Sequence, residues 1–231
     1  LDSKKIDLAE YQKEKEKISA VVIQSPNYFG QIENITKIRE LFPEPCLLIH
    51  HSDMISLGIL KKPGDLGVDI FTGDGQSLGN GLYFGGPTCG IFACSKKYLR
   101  QMPGRIAGMT KDKNGKVGFV TTLQTREQHI RRSKATSNIC TSQALNALAT
   151  AVFLAVTGKE GVYQMAFQSA QKTAYLADKI NEIPGFEVIF KKDYVKEILI
   201  KTPVPSKSII EKGIKNGFLA GILPKGYIDD K

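Results

Sequence analysis

Three short apolar segments constrain the fold of this chain more than any other feature of its sequence. They are SAVVIQS (19–25), CLLIH (46–50) and VDIFT (68–72), and each has the length and the branched side chains of a buried strand. Helical or turn segments separate them, and strands that alternate with helices form a parallel sheet covered by helices. The sequence therefore predicts an α/β fold, in which ligands bind at the carboxyl ends of the strands.

The middle of the chain predicts a further strand, a hairpin and a buried helix. IFAC (91–94) fits a strand, and the Asn-Gly pair in KNGK (113–116) predicts a hairpin turn because these residues tolerate a positive φ. ALNALATAVFLAV (144–156) is apolar around most of its circumference. We expect it to form a helix that is buried on nearly all sides and ends at Gly158.

The last third of the chain predicts a small separate unit. A second amphipathic helix spans roughly residues 160–181, and the segments FEVIF, EILIK and SIIEKGIKNG read as two strands and a short helix. We therefore expect two partial domains, residues 1–158 and residues 159–231.

Composition excludes several classes of protein. The chain has 231 residues, of which 42% are hydrophobic and 24% are charged, as in a globular protein. It contains no apolar stretch of the roughly 18 residues that span a bilayer and no secretory signal at its start, so we expect a cytoplasmic protein. The four cysteines lack zinc-ligand spacing, and the sequence predicts no metal site. His50 and His51 end an apolar run and could either line a cleft or belong to a polar loop.

Positive charge is concentrated in one segment, residues 96–134, which we call the basic segment. It contains eleven Lys or Arg and two acids, and this excess equals the net charge of +9 of the whole chain. An anionic partner and a solvated basic surface both fit this pattern. Nucleic acid is disfavoured, because the segment contains few aromatic side chains for stacking on bases, and the chain has no zinc-finger, RNP or KH signature.

A glycine-rich loop follows the third predicted strand. We call residues 73–90, GDGQSLGNGLYFGGPTCG, the glycine loop. Such a loop after a strand indicates a close approach of backbone to a ligand, often a phosphate. This one contains no lysine, no histidine and only one acid, Asp74.

Several longer motifs resemble the glycine cleavage system P-protein family. They are MPGRIAGMT, GFVTTLQTREQHIRRSKATSNICT, QALNALATAV, SPNYFGQIENI, DMISLGILKKPGDLGVDIFTGDGQSLG and FGGPTCGIFAC. Within that family, the chain is most similar to subunit 1 of the two-subunit glycine dehydrogenase (decarboxylating). The resemblance covers roughly the second half of a full subunit.

The resemblance implies a fold and a cofactor. The family has the fold type I architecture of transferase-like enzymes that depend on pyridoxal phosphate (PLP). We therefore expect part of the large-domain parallel or mixed sheet, followed by a small C-terminal α+β domain. The resemblance also places Asp53 where the family's lysine-bearing subunit pairs an aspartate with the pyridine nitrogen of PLP.

The position of the family's Schiff-base lysine carries no amine in this chain. The resemblance places it at Gln76 or Ser77, and neither side chain can form an imine with PLP. We therefore expect no catalytic residue here and an inactive isolated chain. The resemblance implies that subunit 2 carries the Schiff base, that the substrate is glycine, and that lipoyl H-protein accepts the aminomethyl group. It also implies a heterotetramer of two copies of each subunit, with no nucleic-acid or membrane partner.

Two further groups of residues are candidates for the shared site. The backbone N–H groups of Gly85, Gly86 and Thr88 could contact the cofactor phosphate, or could form only a tight turn at the subunit interface. A second group could contact a substrate anion or form salt bridges across an interface; its members are Arg126, His129, Arg131 and Arg132.

Two other functions stay open from the residues. One is a self-sufficient PLP enzyme whose lysine lies elsewhere, for example at Lys61 or Lys62. The other is a non-catalytic interaction module that uses the basic segment. A PLP absorbance band on the isolated chain would indicate the self-sufficient enzyme. Salt-sensitive binding of the chain to DNA would indicate the interaction module.

Overall fold

The computed structural model describes residues 17–123, 127–135 and 142–224. Strands and helices alternate in the first part of the chain, as expected for an α/β fold. The strands are β1 (Ala20–Gln24), β2 (Leu47–Asp53), β3 (Ile70–Asp74), β4 (Gly90–Cys94), β5 (Ile106–Lys111), β6 (Val117–Thr122), β7 (Glu187–Val188) and β8 (Ile200–Lys201). The helices are α1 (Ile35–Leu41), α2 (Gln128–Arg131), α3 (Ala144–Asn181) and α4 (Ser206–Lys215), with 3-10 turns at Ser56–Gly58, Pro63–Leu66, Lys96–Tyr98 and Arg132–Lys134.

The main sheet has the order β1-β2-β3-β4 and is mixed. The first three strands run parallel, as predicted, while β4 runs antiparallel to β3. The glycine loop accounts for this reversal, because it joins β3 to β4 without the helical crossover that a parallel connection requires. The sheet therefore ends in an antiparallel strand that leads directly out of the glycine loop.

Two apolar clusters hold this sheet to its neighbours. The first contains Ile35 of α1, Leu48 of β2 and Val68, with Leu48 fully buried. The second joins the turn at Ser56–Gly58 to helix α3 and includes Leu78 and Ala166. A Cβ on Gly58 would lie only 2.7 Å from a backbone oxygen of this helix. Glycine therefore allows the turn and the helix to approach this closely.

A charged cluster closes the amino-terminal end of β3. Asp69 has a side chain that is 5% exposed, and it accepts hydrogen bonds from Arg39 at 2.6 Å and from the Leu48 N–H at 2.9 Å. Lys97 lies 2.8 Å from the same carboxylate. Burial acts to raise the pKa of Asp69, but the Lys97 and Leu48 hydrogen bonds and the Arg39 charge lower it below its ordinary value. The cluster links α1, β2 and the segment after β4.

The interpretation of His50 as part of a polar loop was wrong. Strand β2 continues through both histidines to Asp53, and His50 is 3% exposed between Ile23 and Phe71. Its Nε2 lies 3.2 Å from the Ser25 carbonyl oxygen, and desolvation by burial lowers its pKa. Neighbouring backbone strands supply the hydrogen bonds, so polar side chains can extend a strand beyond its apolar run.

The prediction that helix 144–156 is buried on nearly all sides was also wrong. Four apolar side chains along its first half are 55–82% exposed; they are Leu145, Leu148, Val152 and Val156. The described part of the chain covers only the side of the helix that carries Thr150 and Phe153. The hydrophobic pattern identified the helix but could not identify which described elements lie against it.

The apolar helix ends at Gly158, as predicted, and a second helical part follows it within α3. Gly158 has φ 63° and ψ −178°, a backbone conformation that is essentially restricted to glycine, and it places a kink between the two helical parts. The second part packs against the turn at Ser56–Gly58 through Ala166, which is fully buried. No helix in the described ranges is long and apolar enough to cross a membrane.

Besides helix α3, a crossing segment that follows it contacts the first part of the chain. This segment, residues 192–197, passes beside the loop before α1: Tyr194 forms a β-bridge with Gln31, and the Asp193 carbonyl accepts a hydrogen bond from the Ile32 N–H at 2.7 Å. Val195, within the segment, is 1% exposed.

Strands β5 and β6 form the predicted hairpin around Gly115.

Candidate functional site

Two aspartates end neighbouring parallel strands of the main sheet. Asp53 is the last residue of β2, Asp74 is the last residue of β3, and the two are partners in the strand register. The carboxyl ends of parallel strands are where α/β sheets bind ligands. The structure therefore brings Asp53 and the glycine loop together at one edge, as the sequence predicted.

Asp74 closes the glycine loop on itself. Its Oδ1 accepts a hydrogen bond from the Gln76 N–H at 2.7 Å, and its Oδ2 accepts one from the Thr88 hydroxyl, also at 2.7 Å. One carboxylate thus holds both ends of the loop. The sequence analysis noted Asp74 only as the loop's single acid and did not assign it this role.

A buried polar network fastens the loop to helix α3. The Asn80 amide, 6% exposed, donates from Nδ2 to the Gly75 carbonyl at 2.9 Å and to the Thr150 hydroxyl at 2.8 Å. Cys89 Sγ lies 3.4 Å from that hydroxyl. A Cβ on Gly75 would overlap Cys89 Sγ, which explains why glycine occupies this position. No motif in the sequence pointed to this network, because its bonded side chains Asn80 and Thr150 lie 70 positions apart.

The predicted lysine position carries two neutral side chains. Gln76 lies directly beyond β3, and its Nε2 donates to the Asn80 carbonyl at 3.0 Å. Ser77 is half-buried beside it. Lys61 and Lys62, the alternative lysines, immediately precede the turn at Pro63–Leu66, on the chain before β3 rather than at its carboxyl end. The loop beyond β3 therefore presents no amine.

The FGGP segment forms a tight turn. The Gly85 and Gly86 N–H groups both donate to the Leu82 carbonyl, at 2.8 and 3.1 Å, and both glycines have positive φ angles of 112° and 128°. The Thr88 hydroxyl is the one that donates to Asp74. The two glycine N–H groups and the Thr88 hydroxyl are therefore already hydrogen-bonded within the loop. A phosphate contact from Gly85, Gly86 or Thr88 stays a prediction.

The Asp53 carboxylate is bonded on both oxygens. Oδ1 lies 2.8 Å from Lys196 Nζ, while Oδ2 accepts from the Ser56 N–H at 2.8 Å and from the Ser56 hydroxyl at 2.7 Å. Burial acts to raise the pKa of Asp53, but the hydrogen bonds from Lys196 and Ser56, with the Lys196 charge, hold it below its ordinary value. Desolvation raises the pKa of neighbouring Glu197.

This arrangement does not fit a bound PLP ring. A pyridinium N–H needs a carboxylate oxygen that faces the cofactor, and the Lys196 ammonium already donates to Oδ1 of Asp53. The adjacent loop has Gln76 and Ser77 in place of an imine-forming lysine. Of the two PLP anchors that the resemblance predicts, the aspartate is already bonded to Lys196, and the lysine is absent from the loop.

The basic candidates that the structure describes lie next to one another on a short exposed segment. His129 and Arg131 belong to the four-residue helix α2, Arg132 follows with a φ of 53°, and all three are exposed. Arg126 lies outside the described residues. Buried Glu127 precedes this helix, with Arg105 at 3.9 Å. An anion-binding role for this group stays a prediction.

Within the described ranges, no three His, Cys, Asp or Glu side chains group as metal ligands do. Cys140 lies outside those ranges. The edge of the sheet thus contains a self-bonded loop and a paired carboxylate rather than a metal centre.

The comparison with solved structures defines the class. A cysteine desulfurase from Thermococcus onnurineus superposes with a TM-score of 0.57 over 94% of this chain and 53% of its own, at 15% identity. This shared fold is that of the fold type I PLP-dependent enzymes. A crystal structure of glycine decarboxylase (P-protein) of the glycine cleavage system, in inhibitor-bound form, gives a TM-score of 0.84 at 38% identity, covering 93% of this chain and 50% of that one.

The family follows from the sequence comparisons. The model of the glycine cleavage system P-protein family matches residues 2–223. The probable glycine dehydrogenase (decarboxylating) subunit 1 of Prosthecochloris aestuarii is 49% identical over 207 residues, or 89% of this chain and 47% of the relative. The chain belongs to the glycine cleavage system P-protein family, as its motifs indicated. It spans about half the length of the curated relatives that it matches.

Proposed function

We propose that this chain acts as part of subunit 1 of glycine dehydrogenase (decarboxylating). With a lysine-bearing subunit 2, it would decarboxylate glycine and pass the aminomethyl group to the lipoyl arm of H-protein. The observation that carries the proposal is a retained glycine loop without the lysine, in a chain 49% identical to a probable subunit 1. The cofactor and its lysine then belong to subunit 2.

In this proposal, the chain contributes a shaped wall to the shared site. Asp74 and Asn80 fix the glycine loop through bonds to Gln76, Thr88 and Thr150. A loop held in this way keeps its shape when a partner subunit packs against it and excludes water from the facing site. The role is one of positioning, because no side chain on the loop can hold the cofactor covalently.

The assembly and its location are part of the same proposal. The complex is a cytoplasmic heterotetramer of two copies of each subunit. Residues 1–158 and 159–231 form two domains that meet at Gly158, where the kink in helix α3 supports the division. The exposed group His129, Arg131 and Arg132 then faces an anion of the assembled enzyme, either a substrate carboxylate or an acidic partner surface.

Reconstitution tests the proposal directly. We expect the chain to co-purify with a glycine dehydrogenase subunit 2 and to support glycine decarboxylation only in its presence and with H-protein. Borohydride reduction in the presence of PLP should leave no stoichiometric pyridoxyl-lysine peptide in this chain. Decarboxylation by the chain alone, or a single modified lysine at full yield, would refute the division of roles.

Charge reversal tests the anion surface separately. Arg131→Glu with Arg132→Glu should leave the fold intact and lower decarboxylation by the complex at least about tenfold, a barrier change of about 1.4 kcal/mol. The matched control is Lys113→Glu with Lys116→Glu, which changes the same charge on the exposed hairpin turn. Equal losses in the two variants would point to a long-range field, which about 1 M salt should then remove.

A further inference from the structure

The contact between Asp53 and Lys196 joins two parts of the chain that are 143 positions apart. Asp53 ends β2 at the ligand-binding edge of the sheet, whereas Lys196 belongs to the crossing segment, residues 192–197, of the C-terminal unit. The distance from Lys196 Nζ to Asp53 Oδ1 is 2.8 Å, and the side chains of Lys196 and Asp53 are 33% and 23% exposed, respectively. The pair is therefore partly withdrawn from water on both sides.

The crossing segment brings Lys196 to this place through contacts of its own. The Ile32 N–H donates to the Asp193 carbonyl, Tyr194 bridges to Gln31, and Val195 is buried. A Cβ on Gly30 would overlap the Glu197 carbonyl oxygen, so the backbone on the other side of Lys196 is also in close contact. Contacts on both sides hold the backbone in place, so forming the pair requires no further ordering of the backbone.

Asp53 has little remaining capacity for another cation. The Lys196 ammonium donates to one oxygen, and the Ser56 N–H and hydroxyl donate to the other. An ionised carboxylate offers about four lone-pair sites, of which three are used here. A pyridinium N–H and an ammonium are both cationic N–H donors, so each would satisfy the carboxylate in the same way and would repel the other.

We propose that Lys196 takes the place of the cofactor's cationic nitrogen at Asp53, so that this chain's own pocket is closed to PLP and its aspartate ties the C-terminal unit to the sheet. The inference rests on the fold class and on the contacts of Asp53, and does not require the proposed reaction. It gives Asp53 a structural role where the sequence predicted cofactor binding. It also makes Lys196 the residue that separates this pocket from one that holds the cofactor.

Zero-length cross-linking of the 231-residue chain tests the contact without any substitution. A carbodiimide couples a carboxylate to an amine that touches it, and the resulting amide forms with loss of one water, which converts the carbodiimide to its urea. We expect an Asp53–Lys196 cross-linked peptide at equal yield with and without pyridoxine phosphate, which has no amine that the activated carboxylate could couple to. This probe carries the pyridine ring and the phosphate but cannot form an imine with surface lysines. Absence of the peptide, or a yield that falls as the probe is added, would overturn the proposal.

Probe binding tests the closure of the pocket. Titration of wild type and of Asp53→Asn with pyridoxine phosphate should give the same affinity, because no part of the probe meets Asp53. A loss of tenfold or more in Asp53→Asn would place the pyridine nitrogen on that carboxylate and contradict the proposal.

Amide exchange tests the tie between the two parts of the chain. The Ile32 amide donates into the crossing segment, so Lys196→Met should raise its hydrogen-exchange rate at least tenfold. Lys191→Met is the control, since it removes an exposed lysine just before the same segment. Unchanged exchange in a folded Lys196→Met chain, or equal acceleration in both variants, would rule out a tie through Asp53.

Discussion

Removal of the Thr150 hydroxyl should weaken the fold more than removal of a matched hydroxyl elsewhere on the same helix. Thr150 is 6% exposed and accepts the Asn80 amide at 2.8 Å from the glycine loop. Thr173 is 8% exposed, but its hydroxyl donates only to the Ser169 carbonyl of its own helix at 2.8 Å. Thr150→Val and Thr173→Val keep the side-chain shape and delete one hydroxyl each.

The expected magnitudes differ because of what each deletion leaves behind. In Thr150→Val, the Asn80 amide loses its hydroxyl acceptor and keeps only the weak acceptor Cys89 Sγ at 3.9 Å beside the Gly75 carbonyl, and a poorly satisfied buried donor costs about 1–3 kcal/mol. In Thr173→Val, the Ser169 carbonyl keeps its place in the helix ladder, so we expect a change below about 0.5 kcal/mol. For a chain of this size, each kcal/mol corresponds to a shift in Tm of about 2–4 °C.

Urea denaturation followed by circular dichroism measures both variants under the same conditions. The midpoint should fall clearly for Thr150→Val while the slope stays constant, which indicates a change of stability rather than of the unfolded state. Amide exchange across residues 75–80 should also rise in this variant alone. Equal midpoints for the two variants would show that the bond from Asn80 to helix α3 does not hold the glycine loop.

Two further predictions concern the glycine loop and the charged cluster. Gly79→Ala should lower the free energy of unfolding by at least about 1 kcal/mol more than Gly115→Ala. Both positions have a positive φ, but only a Cβ at Gly79 would meet Phe153, at 2.6 Å. Equal thermal denaturation midpoints for the two variants would contradict this prediction. Asp69→Asn should cost about 1–3 kcal/mol near neutral pH, at the lower end because Lys97 is 40% exposed. Because the folded pKa of Asp69 is lowered, this difference should persist above about pH 4 and disappear as the pH falls through the folded pKa, which urea titrations at several pH values would measure.

The sequence located the strands well but not their ends. It predicted 46–50 and 68–72, whereas β2 runs to Asp53 and β3 runs to Asp74. The apolar run marks the part of a strand that lies in the core. The backbone pairing continues further, because ladder hydrogen bonds do not depend on the side chain.

Side-chain partners at the candidate site could not be predicted from local sequence. Lys196 is one of many lysines in a basic chain, and nothing around it in the sequence distinguishes it from Lys191 or Lys192. Its contact with Asp53 exists because the crossing segment passes the end of β2. Family motifs could identify Asp53 and the loop, while the partner of that aspartate required the three-dimensional structure.

The half of helix α3 that the described residues leave exposed has a consequence for the behaviour of this chain in solution. Leu145, Leu148, Val152 and Val156 present a continuous apolar stripe to water, and burial of such a stripe between two molecules is favourable. The net charge of +9 opposes this contact, because like-charged molecules repel at long range. Added salt shortens the Debye length to about 3 Å at 1 M and removes the repulsion, while the hydrophobic attraction remains. The isolated chain will therefore self-associate more strongly as ionic strength rises. An assembly held together by attraction between charges would instead dissociate as salt is added.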